Sequence, residues 1–131
     1  MRRSPYLSYG WTSMPDEAII TVRFTPEFKR NIRGLSKKYR HIRSDIQPII
    51  EQIQAGVAIG DQIPGTGYTI FKARVRNSDA RKGKSGGYRL IYYLNTSTEA
   101  ILITIYSKLE QADISVAQIR QVVGDFETGK T

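Results

Sequence analysis

Five side chains in the second half of this chain are of the types that handle phosphate: Lys72, Arg74, Arg89, Tyr106 and Lys108. In the run Phe71-Lys72-Ala73-Arg74-Val75-Arg76, a strand would project Lys72, Arg74 and Arg76 from one face and turn Phe71, Ala73 and Val75 to the other. Neighbouring cations repel one another, and a polyanion lying over them offsets that repulsion. Arginine forks grip non-bridging phosphate oxygens and stabilise charge that develops in a transition state. A lysine among them is a candidate proton acceptor. RNA brings its own nucleophile, the 2′-hydroxyl, so positioning, charge stabilisation and proton transfer suffice for metal-free phosphodiester cleavage. No carboxylate pair suggests a metal ion and no cofactor is implied. The Gly-rich stretch 60–67 lacks the Gly-Lys-Ser/Thr ending of a phosphate-binding loop.

Composition narrows the field. At 131 residues, 40% of them hydrophobic, the chain predicts one domain with one core. A net charge of +8 favours an anionic partner, nucleic acid or an acidic protein. The charge is concentrated: residues 25–43 hold seven Lys or Arg against Glu27 alone, and residues 71–92 hold seven against Asp79 alone. Cysteine is absent, which rules out disulfides and thiolate metal sites and fits a cytoplasmic setting. His41 is the only histidine, so a two-histidine acid/base pair is excluded. No apolar run reaches membrane-spanning length, and none follows Met1-Arg2-Arg3 as an export signal would require.

The positioning elements follow from patterning. Residues 1–17 read as a polar N-terminal extension, 18–126 as the domain and 127–131 as a C-terminal tail. A β-rich run, Ile19 to Phe24, ends at Thr25-Pro26, a good helix opening. Phe28, Ile32, Leu35 and Tyr39 form an apolar stripe, with Lys29, Arg30, Arg33, Lys37, Lys38 and Arg40 on the other faces. Such a basic face is either simply solvated or guides an RNA or acidic partner. A second helix is predicted over about 42–55, with Ser44-x-x-Gln47 as a capping box and Pro48 close to its start. Strands follow at about 68–76, 88–95 and 99–107, then a helix from Ser115 burying Val116, Ile119, Val122, Val123 and Phe126. The order β-α-α-β-β-β-α predicts an α+β domain, a mainly antiparallel sheet with a helical hairpin packed on one face.

If Ile101, Ile103 and Ile105 of the last strand are buried together, Tyr106 and Lys108 fall near the basic surface. Tyr92, Tyr93 and Tyr106 offer rings for stacking, or fill the core. Between the first two strands of the meander, Arg81, Lys82 and Lys84 alternate with glycines. This connection suits contacts to a nucleic-acid backbone, or is an ordinary flexible loop. Cationic strands alone more often mean passive binding of RNA or of an acidic protein.

The segments Ile53-Gln54-Ala55-Gly56, Phe71-Lys72-Ala73-Arg74-Val75, Ser85-Gly86-Gly87-Tyr88-Arg89-Leu90-Ile91-Tyr92 and Ile105-Tyr106-Ser107-Lys108 come in that order over roughly Ile19 to Gly124. In this the chain resembles the RelE/ParE superfamily of bacterial toxins, and its RelE- or HigB-like members in particular. The resemblance implies a small RelE-like domain in a type II toxin–antitoxin system: a ribosome-dependent mRNA interferase, neutralised by an acidic antitoxin. Its partners would be mRNA, the ribosome and that antitoxin, with no membrane. The implied roles are charge stabilisation by Lys72 or Arg74, with Lys72 the proton acceptor, clamping of the scissile phosphate by Arg89, and neutralisation of the leaving group by Lys108. RelE has a functional tyrosine at the start of its last helix, where this chain has Ile114; Tyr106 is the candidate substitute. A ParE-like toxin that inhibits gyrase by binding, or a degenerate member that only binds RNA or antitoxin, shares the fold.

Overall fold

Thr25 and Pro26 open the first helix as their types predict. The Thr25 hydroxyl accepts the Phe28 N–H (3.0 Å) and donates to the Ile103 carbonyl (2.7 Å), so one fully buried side chain caps α1 (Pro26–Ser36) and ties it to the sheet. This is seen in a computed structural model, which describes residues 20–80, 87–111 and 113–129. The extension over 1–17 and the loop cations Arg81, Lys82 and Lys84 lie outside the described residues.

The second helix, α2 (Ile42–Gln54), keeps its predicted span but not its predicted cap. The Ser44–Gln47 capping box does not form, because the helix begins before it at Ile42; the Ser44 hydroxyl donates instead to the His41 carbonyl at 2.9 Å. The cap comes from a distant segment. Asp79 accepts the His41 N–H at 2.7 Å and lies 2.6 Å from His41 Nδ1, while Asp45 accepts both the N–H (2.9 Å) and the hydroxyl (3.0 Å) of Ser78. A carboxylate at a helix N-terminus also opposes the helix dipole favourably. Pro48 thus stands inside the helix on its exposed side, where the carbonyl it leaves unpaired can meet water.

The described residues form an α+β domain of three helices and one five-stranded mixed sheet. Strands β1 (Thr21–Phe24), β2 (Asp61–Gln62), β3 (Ile70–Val75), β4 (Tyr88–Thr96) and β5 (Glu99–Ser107) lie in the order β1-β5-β4-β3-β2. The β3-β4-β5 meander is antiparallel, and β1 pairs parallel to β5 at one edge. Two-residue β2, absent from the predicted order, pairs with β3 at the other edge. Gly60 permits that approach: its φ is +93°, and a Cβ there would stand 2.3 Å from the Lys72 carbonyl oxygen.

Apolar side chains fill both sides of the sheet. Phe28, Ile32, Ile42, Ile46 and Ile53 of the helical hairpin meet Ala73, Val75, Tyr88, Leu90, Tyr92, Leu102 and Ile105. On the opposite side Ile119, Val122 and Val123 of α3 (Val116–Thr128) meet Ile70, Ile91, Tyr93, Ile101 and Ile103. Val116 is exposed rather than buried, and Phe126 only partly covered. Helix α3 has a full Ser115–Gln118 capping box and continues past Phe126 to Thr128, ending at left-handed Gly129.

One irregularity decides which way β5 faces. Ile91 pairs with Thr104 but Tyr92 with Leu102, so β5 carries an extra residue at this β-bulge. The three isoleucines expected on one side are therefore divided: Ile101 and Ile103 pack in the α3 layer, Ile105 in the hairpin layer. Among the described residues no helix is long and apolar enough to cross a membrane.

Candidate functional site

Strand alternation places the cations. Ala73, Val75, Tyr88 and Leu90 all belong to the hairpin layer, so Arg74 and Arg89 between them point to the α3 side, as does Lys72. Register brings them abreast: Arg74 pairs with Arg89, and Arg89 with Tyr106, across β3, β4 and β5. Tyr106 reaches this face because the bulge resets the alternation beyond Ile103. Helix α3 covers the neighbouring part of the face, around Ile70, Ile91 and Tyr93, and leaves this row at its border.

The acid that organises the site is one that sequence reasoning missed. Asp113, in the connection from β5 to α3, receives three groups on a single oxygen. Tyr106 Oη donates to its Oδ1 at 3.1 Å, Lys72 Nζ lies at 3.4 Å and Lys108 Nζ at 4.0 Å. Its Oδ2 has no hydrogen-bond partner among the described residues. The Tyr106 hydrogen bond, then the charge of Lys72, holds the Asp113 carboxyl below the usual aspartate value. Burial first, and Asp113 second, push the Tyr106 hydroxyl up to about 12. Tyr106 is thus a proton donor at neutral pH, and Asp113 an ionised acceptor beside it.

The predicted residues divide accordingly. Lys72, Arg74, Arg89, Tyr106 and Lys108 share one surface. Arg74 is exposed and Arg89 half-buried, with its Nη1 also donating to the Tyr88 carbonyl at 3.3 Å. Arg76 lies exposed just past the end of β3. Lys72, the predicted proton acceptor, pairs with the Asp113 carboxylate at 3.4 Å. Ile114 is half-buried against the α3 layer, one residue from the acid that Tyr106 meets. Tyr92, Tyr93 and Tyr106 all have buried rings rather than stacking surfaces: Tyr92 donates to the Ile59 carbonyl, Tyr93 to Glu127 and Tyr106 to Asp113. His41 is engaged with Asp79 at the start of α2 and takes no part.

Chemically, the arrangement offers cations for an anion, an acceptor and a donor of protons in mutual contact, and an open approach. No family model matches the chain.

Proposed function

We propose that this protein is a ribosome-dependent endoribonuclease, the toxin of a type II toxin–antitoxin pair with a RelE-like domain, acting in the cytoplasm and held inactive by an acidic antitoxin. The convergence of Lys72, Lys108 and Tyr106 on one carboxylate oxygen, beside the Arg74–Arg89–Tyr106 row, carries this reading. Two ammonium groups and a phenol gathered at one carboxylate set cations, a proton donor and an ionised acceptor within reach of a single phosphate.

In the reaction, Asp113 Oδ2 accepts the 2′-hydroxyl proton. The 2′-oxygen attacks the adjacent phosphorus, and the bond from phosphorus to the 5′-oxygen breaks. Tyr106 Oη gives its proton to that 5′-oxygen, leaving a 2′,3′-cyclic phosphate and a 5′-hydroxyl. Protonated Asp113 then turns its Oδ2–H to the Tyr106 oxygen and gives the proton back, so the site resets. Arg89 and Arg74 hold the non-bridging oxygens, while Lys72 and Lys108 neutralise charge on the phosphorane and the leaving oxygen.

Mapping mRNA ends after induced expression in bacteria tests this directly. New cuts inside translated codons are expected. Arg89→Ala should reduce cleavage on programmed ribosomes by about 10²- to 10³-fold without loss of folding. Growth arrest with gyrase-linked DNA breaks and intact mRNA would refute the nuclease and favour a gyrase-binding toxin.

A further inference from the structure

Midway along β5 the backbone changes which residues face its outer edge, and helix α1 meets that change. In a regular strand successive carbonyls point to opposite edges. Here two in a row reach Thr25: the Leu102 carbonyl accepts its N–H at 3.1 Å and the Ile103 carbonyl its hydroxyl at 2.7 Å. That doubling is the β5 bulge seen from the side of β1. Strand β1 ends at Phe24, so beyond this point side chains of α1 continue the ladder in its place.

Asn31 supplies the next rung. It stands at the middle of α1, where asparagine is a poor helix former, and it is only partly buried. Its Oδ1 accepts the Ile105 N–H at 3.2 Å and the Thr104 hydroxyl at 2.7 Å. Tyr106 follows directly, and its hydroxyl reaches Asp113 at 3.1 Å. A shift of one residue turns every side chain of a strand to its other face. With the Ile105 N–H turned away from α1, Tyr106 would return to the helical-hairpin side, away from Lys72 and Asp113.

We infer that Asn31 is a positioning residue for Tyr106: acting from α1, it holds β5 in the switched alternation that brings the Tyr106 hydroxyl to Asp113. Thr25 fixes where the switch begins, and Asn31 keeps it from being undone. The importance of this for cleavage rests on the nuclease reading, whereas the role itself is tested on Tyr106 without any substrate.

Three substitutions separate the acceptor from the space it fills. Asn31→Ala is a better helix former and Asn31→Leu keeps the branched shape, but neither offers an acceptor; Asn31→Asp keeps one. The Tyr106 ring carbon is titrated by NMR in each, with and without Asp113→Asn. In the wild type and in Asn31→Asp the midpoint should lie near 12, and Asp113→Asn should lower it. In Asn31→Ala and Asn31→Leu it should fall toward the ordinary tyrosine value, and Asp113→Asn should then add nothing. A merely structural bond would lower the melting temperature and leave the midpoint in place. A wild-type midpoint in either folded variant, or a fall in Asn31→Asp equal to that in Asn31→Ala, overturns the inference. So does failure of both Asn31→Ala and Asn31→Leu to fold, which would make Asn31 a residue of stability alone. Midpoints that move as stated, in a protein whose wild type leaves translated mRNA intact, would sustain the positioning role and sink the nuclease.

Discussion

The two sides of the central sheet are built from the same three strands and end in opposite states. Toward the helical hairpin, Ala73, Val75, Tyr88, Leu90 and Leu102 are almost entirely covered. Toward α3, the apolar layer runs through Ile91 and Ile103 to buried Tyr106, whose row continues into half-buried Arg89 and exposed Arg74. Leu90 is fully buried, while Arg89 beside it is half-exposed. Strand alternation alone therefore separates a residue that holds the fold together from one that faces a ligand. The contrast shows how a small domain keeps a cationic surface rigid: each cation is backed through the strand by a packed neighbour.

Substitutions on the two sides should separate activity from stability. The largest effect is expected at the Tyr106–Asp113 pair. Tyr106→Phe or Asp113→Asn should slow cleavage by about 10²- to 10⁴-fold, the double variant losing scarcely more than the worse single one, with melting temperatures held. Additive losses in single-turnover cleavage would show that the two do not share a proton path. On the other side, Leu90→Ala should destabilise the fold by about 2–5 kcal/mol in urea unfolding. A smaller loss of about 1–2 kcal/mol is expected for Thr25→Ala, which removes a helix cap and a buried bond to Ile103 at once. An effect of Thr25→Ala as large as that of Leu90→Ala would mean that the α1–sheet junction, not the apolar layer, dominates.

The smallest effect is in pH dependence. With Asp113 held below the usual aspartate value and Tyr106 at about 12, the acceptor is ionised and the donor protonated throughout neutrality. Cleavage should therefore be level there, falling only in acid as Asp113 gains a proton. Titration of the Tyr106 ring carbon by NMR should give a midpoint near 12. Asp113→Asn should lower that midpoint without restoring the ordinary tyrosine value, since burial is the first cause and remains. No change in the variant would place the carboxylate away from the hydroxyl.

Much of this could be read in the sequence where it depends on neighbours a few positions apart. The period-two pattern of Phe71 to Val75 gives the facing of Lys72 and Arg74, and Thr25-Pro26 gives the start of α1, since a strand face and a helix cap are local consequences of residue type. The Ser44–Gln47 motif misled for the opposite reason. A capping motif competes with any better partner, and Asp79, 38 residues from His41, supplied one. The bulge in β5 likewise has no signature in Ile101-Leu102-Ile103-Thr104-Ile105, where every residue suits either side of the sheet.

Asp113 is the clearest case of what pattern cannot reach. It sits in an irregular connection, and its significance arises only because β3, β5 and the following segment bring Lys72, Lys108 and Tyr106 to one of its oxygens. The hold of Asn31 on β5 is similar, made by an α1 residue that lies more than 70 positions from Thr104 and Ile105. Residue types and their alternation by themselves determined that this chain would carry a cationic strand surface over an apolar layer, because hydrophobic burial and strand geometry leave those side chains no other arrangement. Which acid stands among the cations, where Tyr106 points, and which side chains of α1 meet the bulge were decided by tertiary structure alone, because each depends on strand register and on contacts between distant segments.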